Sequence, residues 1–301
     1  MTGMVEPTGT RRAPAHPTRW DVAASVLRGG LRQARIALRI EAFSWNVLSW
    51  VMFPAIGLVV MFFLRDSELM SSQVSLAAYG FPGLITMTLM STGVLAVAGQ
   101  LLTEREDGSL LRAKAIPNGM AGHLLANTLF NLGITLGPVM VLLMGAVLMF
   151  DGIEPQGAAG WLRVGVFAVL GLLATLPLGA VIGAVVPSPA MFGWVSLILY
   201  GGLVISGIFY PLTALPGWLQ VVGQALPMYW MGLGLRSGFL PDAAAAFEVG
   251  ESWRVLQSVA ALSIWAAIGL TLAPVLLRRM VRRQSGSQVA AARERVLAKG
   301  Y

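Results

Sequence analysis

The chain has 301 residues, 56% of them hydrophobic and 12% charged, with a net charge of +7 and no cysteine. Ordinary soluble domains carry about 25% charged residues, so a soluble domain is excluded. The lack of cysteine excludes a disulfide framework, thiolate chemistry and a cysteine metal site. The charges that remain are clumped: residues 42–64, 69–103, 115–150, 164–235 and 255–277 contain no Asp, Glu, Lys or Arg. A helix crosses the hydrocarbon core with about 20 apolar residues, and every one of these runs is long enough. The first begins after some 40 residues, too late for a cleavable signal peptide.

In chain order, residues 1–24 are rich in Pro, Thr, Arg and Ala and read as a disordered cytoplasmic tail. A helix is predicted over 25–42. Arg28, Arg32, Arg35 and Arg39 are spaced four, three and four, which groups them on one side at 3.6 residues per turn. Leu27, Leu31 and Leu38 flank them, so the segment suits an interfacial helix with its arginines toward lipid phosphates. A solvated basic helix is the plainer alternative. Spans are predicted at 43–64, about 79–102, 124–150, 164–186, 190–210 and 255–277. With both termini on one side, that side holds 17 of the 21 Lys and Arg, and the other only Arg65, Arg163, Arg236 and Arg254. This asymmetry is the positive-inside pattern. The fold class is an all-α integral membrane protein with six transmembrane helices and both termini cytoplasmic.

Between spans two and three lies the one sizeable cytoplasmic loop, Thr103 to Leu125, which gathers Glu104, Arg105, Glu106, Asp107, Arg112 and Lys114. Acids early and bases late suit a short helix, ended by Pro117. The uncharged run 164–235 is broken at Pro187-Ser188-Pro189 into two spans, and residues from 211 onward are left over. A seventh span there would carry Arg278, Arg279, Arg282 and Arg283 outside, against the charge rule. Pro211, Pro216 and Pro227 with Gln220 and Gln224 instead predict a re-entrant helical hairpin over 211–235, dipping in from the outer face. Gly133-x-x-x-Gly137 and Gly179-x-x-x-Gly183 have the spacing of close helix contact, although 35 glycines make such pairs common.

Several chemistries are missing. There is no GxxxxGK[ST] phosphate loop. The only histidines, His16 and His123, stand apart, which leaves no credible histidine metal site or Ser-His-Asp triad. The predicted spans carry no ionisable group, only polar residues such as Asn46, Asn127, Asn131, Thr135, Ser196 and Ser206, which disfavours a proton- or ion-coupled carrier. What is left is a pathway without a motor, and not an enzyme.

Glu104-Arg105-Glu106-Asp107-Gly108-Ser109-Leu110-Leu111-Arg112 followed by Pro117 resembles the signature of type 2 ABC-transporter permeases, roughly E-R-E-x-G-T-L-E-x-L-x-x-x-P. About 90 residues on, Ser206-Gly207-Ile208-Phe209-Tyr210-Pro211-Leu212, Leu215-Pro216-Gly217-Trp218-Leu219 and Leu226-Pro227-Met228-Tyr229 resemble a second stretch of that family. The order of both motifs within residues 25–283 makes the match specific, nearest to drug-resistance and O-antigen-type exporters. Ser109 replaces the usual Thr and Leu111 an acidic residue, and His123 stands where relatives carry Lys or Arg.

The resemblance implies that about 104–116 is a coupling helix docking on a separate cytoplasmic ATPase. It implies that 211–235, with Phe209, Tyr210, Pro211, Pro216, Trp218, Pro227 and Tyr229, forms an element near the outer gate. The expected partners are two copies of an ABC ATPase, which hold the ATP and Mg, a second copy of this permease or a homologous one, and membrane lipids. No cofactor is expected in this chain and no nucleic acid. The expected activity is export of a hydrophobic drug, antibiotic, lipid or glycolipid across the inner membrane. Polysaccharide export, or a secondary transporter or structural subunit without an ATPase, is the alternative. Residues 284–301 form the cytoplasmic C-terminal tail.

Overall fold

The computed structural model describes residues 19–69, 74–109, 119–150 and 153–283. The two predicted tails before residue 19 and after 283, and Leu110, Leu111 and Arg112 of the loop motif, lie outside the described residues. The elements are α1 (Arg19–Ala42), α2 (Asn46–Leu64), α3 (Leu76–Glu106), α4 (Gly119–Met149), α5 (Gly157–Val185), α6 (Pro189–Ile205), α7 (Gly217–Ala225), α8 (Pro227–Phe239) and α9 (Val255–Arg283). Among the described residues there is no strand, only an isolated bridge between Glu68 and Ser75.

Among the described residues, four helices are long and apolar enough to cross a membrane: α3, α4 from Leu125, α5, and α9 as far as Arg282. Two shorter apolar helices, Val51–Leu64 within α2 and α6, accompany them. Each predicted span thus contains a helix, although the one predicted over 190–210 is helical only to Ile205. At 1.5 Å per residue, the 17 residues of α6 rise only about 26 Å. The Pro187-Ser188-Pro189 punctuation works as expected: α5 stops at Val185, the Ser188 hydroxyl accepts from the Met191 amide, and Pro189 opens α6. Leu148, Leu162, Ile198 and Ile264 project outward from their helices. Such apolar surface is costly in water and natural in lipid.

The most apolar stretch of α3 is 78% buried, against 22–33% for the other three long helices, so α3 is the central strut. Its ladder is interrupted by a π-turn at Ser91–Ala96, which adds a residue to the turn and re-phases the faces on either side. At that turn α5 presses in closely. A Cβ on Gly179 would stand 2.5 Å from the Gly93 carbonyl oxygen, and one on Gly183 2.9 Å from the Ala98 Cα. This Gly-x-x-x-Gly pair is a true helix seam. The other is not: nothing lies within 4 Å of a Cβ built on Gly137.

The helix predicted from residue 25 begins at Arg19 and packs lengthwise on α4. Leu125 fills the space above Gly30, and Leu38 the space above Gly133. The two contacts are eight residues apart on each helix, so α1 and α4 run parallel over about two turns. Arg28, Arg32, Arg35 and Arg39 stay on the exposed side.

The predicted 211–235 element is a 3-10 turn (Leu212–Ala214) followed by α7 and α8, with the corner at Leu226-Pro227. Its second arm runs four residues further than predicted, to Phe239. The two arms differ. Trp218, Val221 and Val222 of α7 face outward, whereas all of Pro227–Phe239 is buried among α3, α5 and α9.

Candidate functional site

Two polar clusters stand out in an otherwise apolar molecule, one at each end of α3. The first is built on the loop motif. Glu104, Arg105 and Glu106 do not start a new helix; they form the last turn of α3, which ends at Asp107. Gly108 follows at φ +68°, the left-handed conformation that closes a helix C-terminus and that a Cβ disfavours. The Ser109 hydroxyl donates back to the Glu104 carbonyl at 3.1 Å. The glycine of the motif is thus explained by the turn.

The charges of the motif divide by direction. Glu104 was predicted to face a partner, but its side chain turns inward and is 9% exposed. Its Oε1 accepts from Asn127 Nδ2 at 2.6 Å and Gln100 Nε2 at 2.9 Å, and its Oε2 lies 3.1 Å from His123 Nε2. A carboxylate only accepts, so the proton of that contact sits on His123 Nε2. The 3.3 Å approach of Asn127 Nδ2 to the same nitrogen is then a contact between two donors. His123, Asn127 and Asn131 recur every four residues on one face of α4, and Gln100 and Glu104 do so on α3.

Arg105 also turns inward. Its guanidinium donates to the carbonyls of Val186 at 3.0 Å, Gly183 at 2.8 Å and Ala184 at 3.1 Å, and touches the Met280 sulfur. These carbonyls belong to the C-terminal turn of α5, where oxygens lack intrahelical partners and the dipole favours a cation. Arg105 therefore clips the end of α3 to the end of α5. Glu106 and Asp107 are exposed.

The second cluster lies at the opposite end. Arg236 and Glu248 are both 0% exposed, with Nε and Oε1 2.8 Å apart. The Tyr79 hydroxyl donates to the same Oε1 at 2.6 Å, and the guanidinium rests 4.6 Å from the centre of the Tyr79 ring. Arg236 Nη1 donates to the carbonyls of Gly207 and Ile208 at 3.0 and 3.3 Å. The second motif is thus pinned from below by an arginine that sequence reasoning counted among the outer, solvent-side charges. The spans were read as free of ionisable groups; α8 and the loop after it bury a full ion pair against α3. The one available signal was that Arg236 interrupts the longest uncharged run.

Of the predicted outer residues, Pro211, Pro227 and Tyr229 are buried, Phe209 and Tyr210 are half-buried, and Pro216 and Trp218 are exposed. They do not form a single cluster. Tyr229 meets Trp230 edge-on at 5.0 Å. Trp230 donates to the Gln224 carbonyl at 2.6 Å, and Arg254 lies over the Trp230 ring while donating to Gln224 Oε1 at 2.8 Å. This set ties α7 and α8 to the segment before α9.

A bundle with lipid-suited outer faces, one buried arm of a helical pair and a charged clip at one end of its central helix defines a multi-pass membrane protein. Residues 44–274 match the family described as "ABC-2 family transporter protein", and the chain belongs to that family. It is also 23% identical over 162 residues to a Bacillus subtilis (strain 168) protein named "Putative transport permease YvfS", covering 52% of this chain and 63% of that protein.

Proposed function

We propose that this chain is the membrane permease of an ATP-driven exporter, working with two copies of a separate cytoplasmic ABC ATPase that hold the ATP and Mg. A second permease, identical or homologous, completes the pathway. The cargo is a hydrophobic drug, antibiotic, lipid or glycolipid. In this reading the chain lies in the inner membrane with both termini cytoplasmic, and α7 and α8 re-enter from the outer face beside the outer gate.

The observation that carries the proposal is the division of labour in Glu104–Gly108. Glu104 fastens the loop to α4, Arg105 fastens it to α5, and Glu106 and Asp107 are exposed. A mechanical coupler needs such an arrangement: a contact surface for the motor and rigid ties to the helices that must move. The coupling surface then comprises Glu106, Asp107 and the continuation through Arg112 to about residue 116, while Glu104 and Arg105 transmit. Family membership supports the ATPase partner.

The test is whether the tagged permease captures a cytoplasmic ABC ATPase from its own cells, together with ATP-driven transport. Reversing one charge desolvated at a dock costs about 2–5 kcal/mol. Glu106→Arg should therefore lower capture by more than tenfold at equal membrane expression. Glu104→Gln should retain capture and lose transport. Unchanged capture by Glu106→Arg, Asp107→Arg and the double variant would reject the dock.

A further inference from the structure

A cavity of about 560 Å³ opens between α3, α4, α5 and α9, toward the end of the bundle that carries the Glu104 cluster. Its size falls in the range of small-ligand sites, about 300–1,000 Å³. The walls are mostly apolar, with Leu101, Leu176 and Ala273 among them. Gln100, Asn127, Thr128 and Asn131 break the apolar lining, and the exposed Arg278 and Arg282 also line it. Among the described residues, no Asp or Glu lines it.

The orientation of the amides can be worked out from their bonds. Glu104 only accepts, so Gln100 turns its NH2 group to it and its Oε1 the other way. Asn131 in turn gives Nδ2 to Gln100 Oε1 at 2.7 Å and to the Asn127 carbonyl at 2.8 Å. Both donor hydrogens of Asn131 are then used, and its Oδ1, on a side chain only 3% exposed, has no partner. A buried acceptor left unmatched costs about 1–3 kcal/mol. That oxygen is itself sealed from the cavity, which presents an apolar body and a cationic edge.

We propose that this cavity binds an anionic amphiphile: an apolar tail along α5 and α9, and a phosphate or carboxylate at Arg278 and Arg282. Because Asn131 lines the cavity and is oriented through Gln100 by Glu104, the cavity wall is joined by these three side chains to the loop proposed to couple to the ATPase. The inference rests on the exporter reading in assigning this ligand as cargo, and it narrows the cargo to a small lipid-like molecule; a polysaccharide does not fit the volume.

The chain has no cysteine, so Ala180→Cys places a single thiol on the cavity wall. Its alkylation by a maleimide is followed on the full chain in phosphatidylcholine nanodiscs, without ATPase or ATP. The probe is oleoyl lysophosphatidic acid; the comparators are monoolein, which lacks the charge, and oleyl phosphate, which keeps the charge and lacks the glycerol. The lysophosphatidic acid should slow alkylation at least fivefold at saturation, with monoolein at least tenfold weaker in half-saturating concentration and oleyl phosphate protecting like the parent. Arg278→Gln/Arg282→Gln, both exposed positions, should remove the preference for charge. Equal protection by all three probes, no protection, or charge preference surviving in the arginine double variant would overturn the proposal. Protection by diacyl phosphatidylglycerol in the nanodisc would assign the site to a bilayer lipid. Protection by the single-chain probe alone would assign it to a free amphiphile; both outcomes support the anionic-amphiphile site. Since no ATPase is present, binding without ATPase capture would reject the exporter reading and leave the site standing.

Discussion

Replacing Arg236 by Met keeps much of the side-chain volume and removes the charge. In the wild type, Arg236 faces Glu248 at 2.8 Å with both side chains 0% exposed, and it also donates to the Gly207 and Ile208 carbonyls. After the change, Glu248 keeps only the Tyr79 hydroxyl among these contacts, and a carboxylate is left in an apolar interior. Breaking a buried pair from one side costs about 3–5 kcal/mol, whereas replacing both members by apolar groups is often close to neutral. Arg236→Met and Glu248→Leu should therefore each destabilise by about 3–5 kcal/mol. If they acted independently, the double variant would lose about 6–10 kcal/mol; the pair predicts a loss no greater than either single change, hence a coupling of about 3 kcal/mol or more. Denaturant unfolding of the purified chain in one detergent, run for all four members of the cycle at equal protein-to-detergent ratio, measures it. Additivity within about 0.5 kcal/mol would refute the pairing. So would an Arg236→Met variant as stable as wild type.

Arg105→Gln shortens the clip that holds the end of α3 to the end of α5 and removes its charge. With hydrogen bonds to charged groups contributing about 1.5–3 kcal/mol each before overlap, unfolding should show a loss of about 2–3 kcal/mol, and Arg105→Lys, a point charge without the planar fork, should recover only part of it. For topology, single cysteines at Asp66 and Glu251, both exposed, should react with an impermeant reagent added outside intact cells, and one at Glu106 only after permeabilisation. External reaction at Glu106 would end the proposed orientation.

The sequence by itself determined the class of molecule, because the bilayer imposes a length and a polarity on any helix that crosses it. Uncharged runs of more than 20 residues and the 17-to-four split of Lys and Arg made six apolar helices and one charged loop legible. Punctuation was legible where prolines cluster: Pro187-Ser188-Pro189 was read as a break, and α5 ends at Val185 with Pro189 opening α6, whereas single prolines such as Pro54, Pro138 and Pro274 stay inside helices. The loop motif could also be found, but not how its charges divide. Glu104, Arg105, Glu106 and Asp107 are equivalent as charges in a string. Only the neighbours decide it: His123 and Asn127 of α4 hold Glu104 inward, and the end of α5 holds Arg105. Arg236 shows the limit most clearly. One arginine at the end of an apolar run is read as a solvent-side residue, since burying it alone would be prohibitive. Its partner Glu248 is twelve residues away and its aromatic platform Tyr79 lies 157 residues earlier in the chain, so nothing local announces the compensation. Burial of a charge is a property of the assembled neighbours, and tertiary structure alone brings them together.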